Sequence, residues 1–155
     1  MTPLMEEKIR FGIYAHALFA SMRHAGDIDE ALAQLSRQEQ LTDDERQRLA
    51  LLARTVVARP DTARFFDPRY SAKNECDLTD GSHVGRPDRV VFTPDETWVL
   101  DFKTGIDLGE EHDRQVRSYC RAISLMGYPR VSGWLLYLTP DIRLRPVDDP
   151  DIGET

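Results

Sequence analysis

The hydrophobic positions of this chain change period part-way along it. From Glu7 to about His24, Ile9, Ile13, His16, Ala17 and Ala20 recur at helical spacing and predict a first helix with those residues inward. Gly26-Asp27 breaks the pattern, and Asp27 is placed to cap a second helix carrying Ile28, Ala31, Leu32 and Leu35. Thr42-Asp43-Asp44-Glu45 has the form of a capping box and opens a third helix through Leu49, Leu52, Val56 and Val57. That helix stops before Pro60, and one more short turn runs through Phe65-Phe66 to Pro68. Beyond Pro68 the period shortens. Tyr70–Leu78 reads as a strand, and Val84–Phe92 with Thr97–Lys103 as a hairpin closed by Thr93-Pro94-Asp95-Glu96. Glu110 to about Met126 is a helix ended by Gly127-Tyr128-Pro129, and Val131–Leu138 is a strongly apolar strand. The tail from Pro140, rich in proline and aspartate, reads as irregular. The expectation is one α/β domain over residues 1–155: a helical part (6–68), a core (69–139) and a tail (140–155). Its centre is a mixed sheet of about four strands flanked by helices, with a helical segment at the N-terminus.

Composition narrows the class of protein. Apolar residues make up 41% of the 155 residues and charged residues 30%, ordinary values for a soluble globular domain. No apolar run is long enough to span a membrane, and no basic-then-apolar leader opens the chain, so a cytoplasmic protein is expected. Cys76 and Cys120 belong to no CxxC pair, which argues against a zinc ribbon or an Fe–S cluster and for two reduced thiols. The formal charge of −7 excludes a self-sufficient basic surface for nucleic acid. The cations are mostly arginine, however, which is the better bidentate phosphate ligand.

One part of the hairpin carries candidate chemistry. Closed symmetrically at its turn, it pairs Phe92 with Thr97, and in that register Asp88 falls opposite Asp101. Opposed residues share a face, roughly 4.5–5.5 Å apart at Cβ, and Lys103 lies two residues on, on the same face. Like charges so placed are destabilising unless neutralised, and a bound cation would neutralise them. Glu75, in the preceding strand, lies near Asp88 if that strand is a third antiparallel partner. His16, on the inner face of the first helix, adds an imidazole suited to a mixed nitrogen/oxygen shell for Mg²⁺ or Mn²⁺. Each signal has a plainer reading: a cross-strand ion pair for Asp101 and Lys103, and a hydrogen-bonded core residue for His16. Gln115 and Tyr119, one turn apart on the helix after the hairpin, read by themselves as a rim pair touching the core.

Taken in order, these segments resemble the RecB-type nucleases of the PD-(D/E)XK superfamily. Gly12-Ile13-Tyr14-Ala15-His16 is similar to that family's N-terminal helix motif, and Asn74-Glu75 to its strand glutamate. Gly85-Arg86-Pro87-Asp88-Arg89 is similar to the segment with the first metal-binding aspartate. Asp101-Phe102-Lys103-Thr104-Gly105 is similar to the signature with the second carboxylate and the catalytic lysine, and Gln115-Val116-Arg117-Ser118-Tyr119 to the QxxxY motif. The resemblance covers roughly residues 10–138 and is strongest to nuclease domains at the C-terminus of UvrD/AddA-like superfamily 1 helicases. It implies a restriction-endonuclease-like core and a Mg²⁺- or Mn²⁺-dependent deoxyribonuclease, exonuclease ahead of endonuclease, that processes DNA ends in repair or recombination beside a helicase.

The resemblance also implies roles for individual residues. Asp88, Asp101 and Lys103 are the catalytic set. The metal is held by His16, Asp88, Asp101 and the Phe102 carbonyl, with Glu75 direct or through water. Gln115, Tyr119, Arg86 and Arg117 face the DNA, with Arg89 and Arg114 as further phosphate contacts. No Fe–S cluster is implied. No GxxxxGK[ST] is present, so the chain is expected to be excised from a helicase-nuclease or to be a stand-alone relative. The alternatives are a catalytically silent DNA-end-binding or regulatory module, and a nuclease of RNA or branched DNA.

Overall fold

The computed structural model describes residues 1–79 and 83–148, which form two compact units divided between Pro68 and Arg69. In the first unit α1 (Pro3–Ala20) opens with Thr2, whose side chain accepts the Met5 N–H, and with Pro3 in the first turn. Its buried face is Phe11, Ala15, Leu18 and Phe19, whereas Ile9 and Ile13 are 51% and 62% exposed. The expected inner face is therefore rotated, because the two phenylalanines and Leu18 remove more apolar surface from water than the isoleucine stripe would. The helix also ends earlier than expected, with Ser21 at its C-cap.

Asp27 precedes α2 (Ile28–Gln38) without capping it through its side chain. Its carboxylate turns back to the N–H groups of Arg23 and His24, making a capping box on the short 3₁₀ turn Ala25–Asp27. Ile28, Ala31, Leu32 and Leu35 are buried as the spacing predicts. The capping box of α3 (Asp43–Ala58) forms: Thr42 Oγ1 accepts the Glu45 N–H at 3.1 Å, and Glu45 Oε1 accepts the Thr42 N–H at 3.0 Å. A 3₁₀ turn, Ala63–Phe66, buries both phenylalanines.

The second unit is a five-stranded mixed sheet, a small two-stranded sheet and one helix. The strands are β1 (Ser71–Asn74), β2 (Leu78–Thr79), β3 (His83–Gly85), β4 (Arg89–Phe92), β5 (Thr97–Thr104), β6 (Val131–Thr139) and β7 (Arg143–Val147), with α4 (Glu110–Leu125) between β5 and β6. The large sheet runs β1-β4-β5-β6-β7, and β2 pairs with β3. β5 and β6 are parallel and the other neighbours antiparallel. The expected strand Tyr70–Leu78 is split, because Glu75 takes φ 50° and turns the chain from β1 toward β2. The outer arm of the hairpin is split as well, at Gly85 (φ 138°) and Pro87, which has no N–H for a ladder. The tail is not irregular throughout: Arg143–Val147 pairs with β6, with Leu136 opposite Leu144 and Leu135 opposite Arg145. Pro146 is tolerated because β7 is an edge strand. The end of the tail, residues 149–155, lies outside the described residues.

α4 packs on one face of this sheet. Val116, Tyr119, Cys120 and Ile123 meet Val90, Val99, Leu135 and Tyr137 in a single apolar cluster. Both cysteines are free thiols. The close approach of α4 depends on Gly133 in β6, where a Cβ would stand 2.5 Å from Val116 Cγ1 and 2.9 Å from Cys120 Sγ. Among the described residues no helix is long and apolar enough to cross a membrane. Alanine is ordinarily preferred to glycine inside a strand, yet Gly133→Ala is expected to destabilise the protein by about 1–3 kcal/mol through overpacking. A urea unfolding curve with an unchanged m-value checks this. A stabilised variant would mean that α4 is held less closely than the contacts imply.

Candidate active site

The register of the hairpin builds the site. Phe92 pairs with Thr97 and Arg89 with Leu100, so the next position places Asp88 against Asp101. Each carboxylate reaches the backbone of the other strand. Asp101 Oδ1 accepts the Asp88 N–H at 3.2 Å, and Asp88 Oδ2 accepts the Phe102 N–H at 2.7 Å. The Asp101 side chain is only 5% exposed, and Lys103 Nζ stands 2.9 Å from its Oδ2. The same ammonium donates to Gln115 Oε1 at 2.7 Å. A buried carboxylate with partners on both oxygens is held in one orientation.

Tyr119 completes the wall opposite the hairpin. Its ring lies against Gly85, where a Cβ would come within 2.7 Å of Tyr119 Cε1, so this glycine serves both its positive φ and the approach of the ring. The Tyr119 hydroxyl takes hydrogen bonds from the Arg86 backbone N–H and the Gln115 side chain. Burial, and then the charges of Asp101 and Asp88, push the phenol above its ordinary range, so at neutral pH it keeps its proton and remains a donor.

The other expected site residues are placed less uniformly. The Glu75 N–H donates to the Asp88 carbonyl at 3.0 Å, so Glu75 adjoins Asp88, but from just past β1 and with an exposed side chain. Arg86 binds Asp77 through two hydrogen bonds of 2.9 and 3.3 Å. Arg117 donates to the Asp148 carbonyl at 2.8 Å and forms an ion pair with Glu110, so it points toward the β7 side of the sheet. Arg89 is 1% exposed and donates to Asn74 Oδ1 at 3.0 Å; its burial removes it as a phosphate contact. Arg114 is exposed. His16 belongs to the helical unit, half-buried, with Nδ1–H donated to the Gly12 carbonyl at 2.9 Å.

Within the sheet unit, then, the fold brings together Asp88, Asp101, Lys103, Gln115 and Tyr119, with Glu75 beside them. Among the described residues no group of three or more His, Cys, Asp or Glu side chains is gathered as a metal site. Two opposed carboxylates still suit Mg²⁺, which usually keeps several waters and is held by one or two carboxylates plus substrate phosphates.

The sequence reading missed a second polar cluster at the neighbouring end of the sheet. Tyr137, the parallel partner of Lys103, donates to Asp107 Oδ1 at 2.8 Å, and the His112 ring stands 2.9 Å from the Tyr137 hydroxyl. Arg145 reaches Asp107 at 2.9 and 3.1 Å and Asp113 at 2.7 Å, and Arg143 adds a bond to Asp107. His112 was detectable in the sequence, three residues before Gln115 and hence on the same helix face. Arg145 was hidden in a tail of prolines and aspartates.

No protein-family model matches the chain, and no curated protein sequence does. Its fold is shared. The crystal structure of a Eubacterium rectale protein named "Putative exonuclease" superposes with a TM-score of 0.55 at 13% identity. The match takes in 94% of this chain and 60% of that protein, so this chain spans three fifths of its length. At such identity the likeness establishes the architecture, a mixed α/β sheet with an N-terminal helical part, and nothing about the chemistry.

The second cluster carries a pH signature. Burial, then the nearby Lys103, lowers the His112 imidazole, so the unfolded chain takes up a proton before the folded one. Stability from this residue is therefore lost as pH falls below the ordinary 6.5. Burial alone would raise Asp107, but hydrogen bonds from Tyr137, the Gly109 N–H and Arg145 hold its carboxyl far below the usual range. Its contribution is present above the ordinary 3.8 and is lost as pH falls below that value. Urea midpoints against pH are expected to fall in two steps, with His112→Gln removing the upper and Asp107→Asn reducing the lower. Glu45, lowered by its hydrogen bonds at the Thr42 cap, shares the lower step.

Proposed function

We propose that this chain is a metal-dependent deoxyribonuclease that hydrolyses phosphodiester bonds at DNA ends. The observation that carries the reading is the opposed pair Asp88 and Asp101, with Lys103 bonded to both Asp101 and Gln115 under the Tyr119 wall. The restriction-endonuclease-like, RecB-type pattern of the sequence and the fold shared with a protein named as an exonuclease support it. Mg²⁺ or Mn²⁺ would be held by Asp88 and Asp101, with the Phe102 carbonyl and Glu75 as further ligands from the same unit. When bound, the metal activates water and neutralises charge on the phosphate.

The protein's own contribution is positioning and electrostatics. Asp101 holds Lys103 in place across the hairpin, where its ammonium stabilises the extra negative charge of the pentavalent phosphorane. Gln115 holds that ammonium from the helix side. The Tyr119 hydroxyl, kept protonated, is a donor to a phosphate oxygen. Arg86 and Arg117 reach DNA by exchanging their carboxylate partners for phosphates. The acidic balance of the chain fits a domain that receives DNA from a helicase, in the same chain or a partner, in the cytoplasm, and acts exonucleolytically on ends.

A DNA-end-binding module without turnover is the second reading. It is favoured by the ion pair that Lys103 already makes with Asp101 and by the two-carboxylate donor set. Linear duplex, single-stranded and circular DNA, each with Mg²⁺, Mn²⁺ or EDTA, separate the two. The nuclease reading expects metal-dependent loss of linear substrate that EDTA stops, and binding without cutting would favour the module. Asp101→Asn is expected to reduce cleavage to background. Lys103→Ala is expected to lower kcat about 10²–10³-fold while leaving metal affinity by calorimetry unchanged. Undiminished cleavage by a folded Asp101→Asn protein would overturn the assignment.

A further inference from the structure

Lys103 and Gln115 meet across a 2.7 Å hydrogen bond, yet the loop that joins β5 to α4 has no apolar anchor. Ile106 and Leu108, its large side chains, are 77% and 48% exposed. α4 begins after Gly109, at φ 59°, so its first turn lacks a side-chain cap. The Gly105 N–H reaches the Thr139 carbonyl and hydroxyl at 3.1 and 3.2 Å. Apart from a long 3.5 Å contact of the Leu108 N–H with His112 Nδ1, the remaining polar hold on the loop converges on Asp107.

The Asp107 carboxylate takes hydrogen bonds from four directions: the Gly109 N–H at 2.7 Å, Tyr137 at 2.8 Å, Arg143 at 2.8 Å and Arg145 at 2.9 and 3.1 Å. The guanidinium of Arg145 then continues to Asp113 in the first turn of α4, at 2.7 Å. One fork from the edge strand thus ties the loop and the helix start together, with carboxylate oxygens placed where a planar guanidinium donates to two partners. Asp113 and Gln115 are two residues apart, so displacing this turn displaces the carboxamide that holds Lys103.

We infer that Asp107 and Arg145 are positioning residues of the candidate active site, fixing Gln115 against Lys103 by clamping the 105–109 loop and the first turn of α4 to β7. The inference rests on the nuclease reading for its effect on turnover, but not for its effect on the lysine. Gln115 bonds Lys103 directly, whereas the bonds of Asp107 and Arg145 go to the loop, to β6 and to Asp113. Both act through the position of α4. Arg143 adds only an exposed arm to Asp107, and His112 shares the cluster through Tyr137.

The experiment uses the full chain and two readouts. Asp107→Asn keeps the shape and the bonds from Gly109 and Tyr137 but weakens the guanidinium clamp; Arg145→Lys keeps the charge but loses the fork. Both are expected to lower kcat about 10- to 100-fold with little change in KM, as a small misplacement does. In a double-mutant cycle Asp107→Asn should add nothing to Gln115→Ala, because both remove the same hold on Lys103. Independently of activity, acylation of Lys103 by an amine-reactive probe, read by mass spectrometry against Lys8 and Lys73, should speed up in both variants. Additive losses with Gln115→Ala and unchanged Lys103 labelling would overturn the inference. A wild-type protein that cuts no DNA would overturn the nuclease reading alone, and the labelling then decides the positioning role.

Discussion

Two carboxylates facing each other across an antiparallel pair repel, and much of the sheet unit follows from how that repulsion is offset. Asp88 and Asp101 continue a ladder whose next same-face pair is Val90 with Val99, both buried. A further apolar pair would serve the fold at lower cost, since buried charge stabilises only when fully partnered. Here it is partnered at some expense of regularity. Asp88 takes the Phe102 N–H, Asp101 takes the Asp88 N–H, and Lys103 is drawn onto Asp101. Pro87 and the positive φ of Gly85 stop the ladder just outside the pair, so the carboxylates close the end of a strand pairing and do not lie within it. Like charge placed where the fold does not need it is a physical reason to regard this end of the hairpin as a site.

The site then depends on two glycines that are far apart in sequence. Gly133 lets α4 settle on β6, and Gly85 lets the Tyr119 ring settle on the hairpin. Together they bring one helix face within hydrogen-bond reach of β5, so that Gln115 meets Lys103 and Tyr119 meets the Arg86 N–H. The 105–109 loop and the α4 first turn, next to Gln115, are fixed by charge. Packing thus sets the depth of α4, and the Asp107–Arg145–Asp113 cluster sets its start.

The features legible in the sequence were those governed by local periodicity. Thr93-Pro94-Asp95-Glu96 closes an even-length turn, and a period-two ladder then leaves no freedom over what faces Asp88. The Thr42–Glu45 box is likewise a local signature, and it forms. The inner face of α1 was misread because Ile9 and Ile13 make a regular stripe, while Phe11, Leu18 and Phe19 make a larger one nearly half a turn away. β7 was missed because its partner lies across the sheet: a strand of alternating arginines with a proline gains its place only from pairing with β6. The Glu75 and Gly85 turns were missed for the same reason. Both are backbone adjustments to neighbours, and side-chain pattern does not report them.

The acidic balance of the chain looks different once the ion pairs are placed. Of the arginines suggested as phosphate contacts, Arg86 is held by Asp77, Arg117 by Glu110 and the Asp148 carbonyl, and Arg89 is buried. Under the nuclease reading, phosphates must therefore compete with carboxylates already in place, and each exchange gains less than a free arginine would provide. The partly exposed pairs, such as Arg86 with Asp77, are the ones that water and salt already weaken, and they exchange most readily. The partly buried pairs of Arg145 with Asp107 and Asp113 exchange least, because separating them leaves charge unpaired in a less solvated place. Under that reading electrostatic attraction to DNA would be weak for the domain alone, and a cation offsetting Asp88 and Asp101 would strengthen it. That division is what the proposed function requires: a substrate phosphate that would be brought to the site, with the lysine already held in place to act on it.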